Sequence, residues 1–222
     1  GQADALAQRP GLDDGARTAV QVVRAQSRDL HRMVDNLLDL ARLRSGRVTL
    51  ARDWQSPAEL IGACVRTASA WFDTTRLRLD VPGDLPLVEV DAVLFERVLH
   101  NLLDNAQKYA TPASPIVVSA RAAGGSLRVG VCNQGRGFDT AATGDVFEPF
   151  VRADGDSATP GSGIGLAVCR AIVAAHDGTI AARNIDGGCE VTFDLPLGVT
   201  PPVPDDAADG DGVPGPKASA GV

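Results

Sequence analysis

Asn101, Asn105 and Lys108 are spaced four and three residues apart in the stretch 91–110, DAVLFERVLHNLLDNAQKYA. Spacings of four and three keep side chains on one side of a helix. Leu94 and Val98 extend the same stripe toward its start, so the stripe is apolar first and polar last. Phe95, Leu99, Leu102 and Ala106 form a neighbouring face with the periodicity of a buried helix surface. Polar groups bordering a core face need partners, because each one buried unpaired costs about 1–3 kcal/mol. A ligand carrying phosphates and a metal would satisfy two amides and an ammonium. The alternative is an Asn–Asn–Lys edge facing water, and the helix alone does not choose between them.

A second candidate for chemistry is Gly161-Ser162-Gly163-Ile164-Gly165-Leu166, where a loop becomes a helix running to about His176. Backbone N–H groups and the helix dipole at such a point can hold phosphate, and glycine lets the main chain approach a ligand closely. By itself G-x-G-x-G is a weak signal that also fits a plain helix entry. Two further patterns lie upstream. One is Asn133-Gln134-Gly135-Arg136-Gly137-Phe138, directly after a strand. The other is FEPFVR at 147–152, before the small polar loop ADGDSATP.

The elements that position these residues follow from pattern. A short helical run, GQADALAQ, is broken by Arg9-Pro10-Gly11. A long helix follows over 14–44, with Val23, Leu30 and Leu37 seven residues apart, as are Val34 and Ala41. That is a heptad seam of a hairpin or bundle, and Ser45-Gly46 ends the helix. His31 on this helix reads as solvent-facing. Residues 48–56 read as a strand or extended linker. Pro57 starts a helix over 57–71, with Leu60, Cys64 and Ala68 on one face. Residues 76–81, RLRLDV, alternate as a strand. Asp91 is a suitable N-cap for the central helix. After it, 116–122 and 127–131 read as a hairpin joined by Ala-Gly-Gly, and 179–184 and 190–195 complete a sheet. Residues 198–222, rich in Pro, Gly, Ala and Asp, read as a disordered tail.

Bulk properties narrow the function. The chain has 222 residues, 44% hydrophobic and 22% charged, enough for one or two domains with a real core. A net charge of −7 argues against non-specific nucleic-acid binding. No apolar run approaches the roughly 20 residues that span a bilayer, and there is no signal-peptide pattern. The chain does not begin with Met, which suggests a piece of something longer. Cys64, Cys132, Cys169 and Cys189 form no C-x-x-C pair, so reduced thiols in a cytosolic domain are expected.

Taken together and in order, NLLDNAQKY (101–109), N-Q-G-R-G (133–137), F-E-P-F (147–150) and G-S-G-I-G-L (161–166) resemble the N, G1, F and G2 boxes of sensor histidine kinases. These ATP-binding domains share their fold with gyrase, Hsp90 and MutL. DVPGDLPLVEVDAVLFERVLHNLLDNAQKYA, HDGTI and GGCEVTFDLPL are similar to the potassium-responsive KdpD-type kinases, and DNLLDLARLRSG resembles the end of their dimerisation hairpin.

The resemblance implies an α+β fold: an α/β sandwich of the Bergerat type, with a mixed sheet and helices on one face, preceded by a helical-hairpin remnant. It divides the chain into a partial dimerisation hairpin (1–46), a catalytic domain (47–197) and the tail. It implies ATP and Mg²⁺ as ligands, with Asn105 binding the metal and Asn101 beside it. Lys108 meets a phosphate as a point charge, and Tyr109 packs near the nucleoside. Gly135 and Gly137 would shape the adenine pocket, and Phe138 is among the ATP-binding residues the resemblance implies. Phe147 and Phe150 anchor a lid over about 152–160, from which Arg152 approaches the phosphates. Gly161, Ser162, Gly163, Ile164, Gly165 and Leu166 form hinge and phosphate cradle. The implied partners are a response regulator and, in a full-length kinase anchored in the bacterial inner membrane, a second copy of the chain.

Two departures stand out. Asn133 occupies the position where most members carry an Asp that reads the adenine amino group. The phosphoacceptor His, followed in the family by Asp or Glu, Leu-Arg and Pro, is matched by none of His31, His100 and His176. The expected function is therefore the ATP-binding catalytic part of a histidine kinase, acting on a histidine outside this chain and unable to autophosphorylate. The rivals are an ATP-hydrolysing switch of the same superfamily and an interaction module with a decayed site. The switch uses a Glu as base one turn before the metal Asn, and that position is Asn101 here.

Overall fold

The computed structural model describes residues 13–44, 49–69, 71–138, 145–151 and 163–198. The expected first helical run, the cap at Ser45-Gly46, the lid and all but the first residue of the expected tail lie outside these residues. Helix α1, Asp14–Arg44, starts where the Asp13 carboxylate accepts from the Ala16 N–H at 2.6 Å. One side of it buries Val20, Asn36 and Leu40, while Val23, Leu30, Val34 and Leu37 of the heptad seam are exposed. His31 is exposed as expected, its Nδ1 hydrogen-bonded within the helix to the Ser27 carbonyl.

The remaining elements, in chain order, are β1 (Asp53–Gln55), α2 (Pro57–Ala68), a 3-10 turn (Thr74–Arg76), β2 (Leu77–Asp80), β3 (Val88–Val90) and α3 (Ala92–Tyr109). They continue with β4 (Ile116–Ala123), β5 (Ser126–Gln134), α4 (Gly165–Ala175), β6 (Thr179–Ile185) and β7 (Gly188–Pro196). Helix α2 is shorter than the expected 57–71. The Ser69 hydroxyl donates to the Arg66 carbonyl and ends it. Strand β3 was not anticipated. It pairs antiparallel with β1 in a two-stranded sheet.

The main sheet has the order β2-β4-β5-β7-β6. Strands β2 and β4 run parallel and the other pairs antiparallel, so the sheet is mixed. Gly124 and Gly125, at φ +60° and +79°, make the two-residue turn between β4 and β5, and positive φ at both positions matches the right-handed strand twist. Alternation gives the sheet one buried face. Ile116, Val118, Leu127, Val129, Val131, Val191 and Phe193 point toward the helices. The other face carries the ion pairs Arg121–Asp80, Arg128–Asp194 and Arg183–Glu190.

Helices α3 and α4 cover the apolar face. Asp91 caps α3, its carboxylate accepting from the N–H groups of Val93 and Leu94 at 3.1 and 3.2 Å. Phe95, Leu99, Leu102 and Ala106 are buried as the periodicity predicts, and the Phe95 and Phe193 rings meet edge-on at 5.7 Å. Burying a side chain of this size stabilises the fold by about 1.5–3 kcal/mol, so this layer holds α3 rigidly over the strand ends. The result is the expected α+β sandwich of mixed sheet and helices on one face. Among the described residues no helix is long and apolar enough to cross a membrane.

Candidate functional site

The polar stripe of α3 does not behave as one unit. Asn101 is only 8% exposed. Its Oδ1 accepts from Asn36 Nδ2 of α1 at 3.4 Å, and its own buried Nδ2 has no partner among the described residues. Asn105, one turn on, is half-buried, and its amide makes no side-chain hydrogen bond among the described residues. Lys108 pairs with Asp104 at 2.8 Å, each side chain about one-fifth exposed. The water-facing alternative therefore fails for Asn101, and Lys108 already has a carboxylate partner. Tyr109, half-buried, ends the helix.

Helix α4 begins at Gly165 against Asn101, where a Cβ on the glycine would lie 3.6 Å from Asn101 Oδ1. Its start differs from the others. Asp13, Ser56 and Asp91 cap α1, α2 and α3 with side-chain oxygens, whereas α4 has Ile164 at its N-cap and no side-chain cap hydrogen bond. The first N–H groups of a helix lack intrahelical partners and carry its positive dipole end. A helix start with no side-chain cap among the described residues, beside a buried amide, is suited to an anion. Ile164 itself is fully buried in the core, so only its backbone can face a ligand, and Leu166 is half-buried. Gly163, at φ +68°, accepts from the Phe150 N–H at 3.0 Å, and a Cβ there would crowd Phe150 and Val151. Arg152, Gly161 and Ser162 lie outside the described residues.

Strand β5 runs further than expected and includes Asn133 and Gln134, so Asn133 is a sheet residue rather than a loop residue. Its side chain, 3% exposed, points to the helix side. Its Oδ1 accepts from Cys189 Sγ at 3.4 Å, and its Nδ2 donates to the Gln134 carbonyl at 3.4 Å. Gly135 follows at φ +141°, where a Cβ would run into the Tyr109 carbonyl. The glycine thus brings the end of α3 and the end of β5 together, joined by a bridge between Ala110 and Gly135. Gly137 is packed on Asn184 of β6. The Asn184 amide holds Phe138 from both sides, accepting from its N–H at 2.7 Å and donating to its carbonyl at 2.8 Å.

The turn at 145–151 is fastened to α4. Arg170 pairs with Asp145 and, at 2.7 Å, with Glu148, and its guanidinium lies 6.0 Å from the centre of the Phe147 ring. Phe147 is buried, but Phe150 is 64% exposed. Phe150 is held by its backbone bond to Gly163, not by packing of its ring. Arg170, Asn184 and Cys189 were not singled out from sequence. Their partners lie 22 to 56 residues away, and no local pattern announces them.

His176 and His100 both have partners within the fold. His176, 3% exposed, receives the Asp91 N–H on Nε2 at 3.0 Å and faces the Ile172 carbonyl with Nδ1 at 2.9 Å. His100 contacts the Cys64 carbonyl and the Trp71 ring. The buried thiols are poor nucleophiles. Burial pushes Cys64 and Cys169 up to about 12 and Cys189 up to about 11.

Comparison with known proteins agrees with this architecture. Residues 90–199 match the family described as Histidine kinase-, DNA gyrase B-, and HSP90-like ATPase. The chain is 40% identical over 171 residues to sensor protein KdpD of Escherichia coli, covering 77% of this chain and 19% of that protein. The chain spans about a fifth of the length of the KdpD proteins it matches. Among solved structures, full-length ShkA in complex with AMPPNP superposes with a TM-score of 0.69 at 25% identity, over 90% of this chain and 42% of that one. The histidine kinase ThkA in complex with the response regulator TrrA has the same fold, with a TM-score of 0.66 at 18% identity over 88% of this chain and 55% of that one. Residues 90–199 are thus a Histidine kinase-, DNA gyrase B-, and HSP90-like ATPase domain, and the KdpD proteins and ThkA carry sensor-protein and histidine-kinase names.

Proposed function

We propose that this chain binds Mg·ATP and donates its γ-phosphate to a histidine supplied by another segment, as the catalytic part of a two-component sensor kinase that serves a response regulator. The observation that carries this reading is the start of α4, which has no side-chain cap hydrogen bond among the described residues, against the buried Asn101, whose Nδ2 has no partner among them. A triphosphate there would accept from first-turn N–H groups and meet the positive end of the helix dipole.

The residues also fit the metal. Mg²⁺ takes hard oxygen ligands and keeps several waters and phosphate oxygens. Asn105 offers, one turn from Asn101, an amide oxygen with no hydrogen-bond partner among the described residues. Among the described residues no cluster of three His, Cys, Asp or Glu could hold a metal, so the ion would be held by phosphates, water and this amide. Bound there, it would neutralise charge developing on the phosphates. Phosphoryl transfer needs little more from the protein than positioning and such neutralisation. Asn133, at the far end of the site, would take a hydrogen bond from the adenine amino group. Lys108 would have to exchange Asp104 for a phosphate. Asn101 has no carboxylate with which to activate water, which favours the kinase over the ATP-hydrolysing switch. In the full-length protein the exposed heptad seam of α1 would pair with its counterpart in a second copy.

Calorimetry tests the binding step. ATP should bind in the presence of Mg²⁺. Asn105→Ala should abolish the Mg²⁺-dependent part while the circular dichroism stays unchanged. Equal Mg·ATP binding by parent and variant would remove Asn105 from the site. No binding by the parent would favour the decayed-site module.

A further inference from the structure

We propose that Cys189 is a specificity-determining residue, which selects the base by fixing which way round the Asn133 amide stands. The inference rests on the nucleotide-binding reading above and concerns how that site tells one purine from another.

An amide has two ends of nearly equal shape and opposite hydrogen-bonding character, whereas a carboxylate has no orientation to set. At Asn133 both neighbours demand the same orientation. Cys189 is directly opposite in the β5–β7 register, 3% exposed, with Sγ 3.4 Å from Oδ1. Burial keeps this thiol protonated, pushed up to about 11, so it is an S–H donor. On the other side the Gln134 carbonyl accepts a hydrogen bond from Nδ2 at 3.4 Å. Reversing the amide would set Oδ1 against that carbonyl, two acceptors face to face. It would also leave the NH₂ facing sulfur, a weak acceptor.

These two contacts use one lone pair of Oδ1 and one N–H of Nδ2. One acceptor and one donor remain. That pair matches an edge presenting an amino donor beside a ring-nitrogen acceptor, as adenine does, and Asn reads adenine with both its ends elsewhere. Hypoxanthine presents the reverse, an oxo acceptor beside a ring N–H. It would be read equally well by an amide turned around. The thiol therefore acts against the wrong base by making the turned amide unfavourable, and only in a chain that carries Asn here.

The test uses the full chain with Mg·ATP and Mg·ITP, which differ only in this edge, and measures affinity by calorimetry. The parent should prefer ATP. Cys189→Ala should lower the ATP-over-ITP preference about fivefold, the scale of one modest hydrogen bond, mostly through tighter ITP binding. Cys189→Ser, which keeps a donor, should retain the preference and guards against a packing effect in the alanine variant. In an Asn133→Asp background there is no amide to turn, so adding Cys189→Ala should leave the ratio unchanged. A parent preference that survives Cys189→Ala, or an equal loss in the aspartate background, overturns the role of Cys189 and leaves the nucleotide site standing. A parent that binds neither nucleotide overturns the site itself.

Discussion

Asn36 of α1 donates to Asn101 of α3 across 3.4 Å, at a point where both side chains are more than nine-tenths buried. One turn along the same two helices, Asp39 pairs with Arg97, and Leu40 is buried beside them. The long helix is thus fastened to α3 at the residue that adjoins the start of α4. Removing one partner of a buried hydrogen bond leaves the other unsatisfied, at about 1–3 kcal/mol. Asn36→Ala should therefore speed hydrogen exchange in the second half of α1 while leaving the sheet amides protected. Unchanged exchange in α1 would mean the contact does not hold the helix.

Arg170 should matter beyond its charge. It faces two carboxylates and an aromatic ring on the 145–151 turn. Its side chain is 34% exposed, so each ion pair is screened and the loss on Arg170→Ala should be about 1 kcal/mol. Arg170→Lys keeps a charge but not the planar fork and should recover only part of it. Urea denaturation of the three proteins decides this. Full recovery by lysine would show that geometry at the turn is irrelevant.

His176 links the end of α4 to the start of α3 through the Asp91 N–H. His176→Ala leaves the Asp91 N–H without this partner and opens a void, while the backbone N–H of residue 176 still serves the Ile172 carbonyl, for a combined loss of about 2–4 kcal/mol. A change below about 0.5 kcal/mol in urea denaturation, the size typical of surface substitutions, would contradict a structural role.

Much of this was legible locally. Asp91, the apolar spacing of Phe95, Leu99 and Leu102, and the glycine pair at 124–125 each settle an element from a few neighbours. Gly135 was expected to shape a pocket by resemblance, and its close approach to the Tyr109 carbonyl was not visible from sequence. Other features were hidden for physical reasons. Strand β3 has three residues, too few to show a period, and exists because β1 pairs with it. Asn133 and Gln134 have the composition of a loop, yet they extend β5 because β7 continues alongside. Spacing placed Asn101 on one stripe with Asn105 and named no hydrogen-bond partner for it. Its actual partner, Asn36, is 65 residues away, and only the packing of α1 reveals it.

The thiols make stability fall at alkaline pH. Burial raises Cys64 and Cys169 from 9.0 to about 12 and Cys189 to about 11. Above pH 9 the unfolded chain loses these protons while the folded chain keeps them, so the unfolded state binds fewer protons and stability declines as pH rises. The stabilisation is complete below pH 9 and is lost progressively through pH 11–12. Under reducing conditions, Cys169→Ala should show a shallower decline between pH 9 and 11 than the parent. Parallel curves would mean that Cys169 titrates alike in both states.

The most direct test of phosphoryl donation is transfer in trans. The chain is mixed with γ-labelled Mg·ATP and a dimerisation hairpin that carries the complete acceptor-histidine motif of sensor histidine kinases. Acid-labile, base-stable label should accumulate on the hairpin, none on this chain, and none anywhere with Asn105→Ala. Label on this chain in the absence of the hairpin, or an unlabelled hairpin despite bound Mg·ATP, would contradict the account.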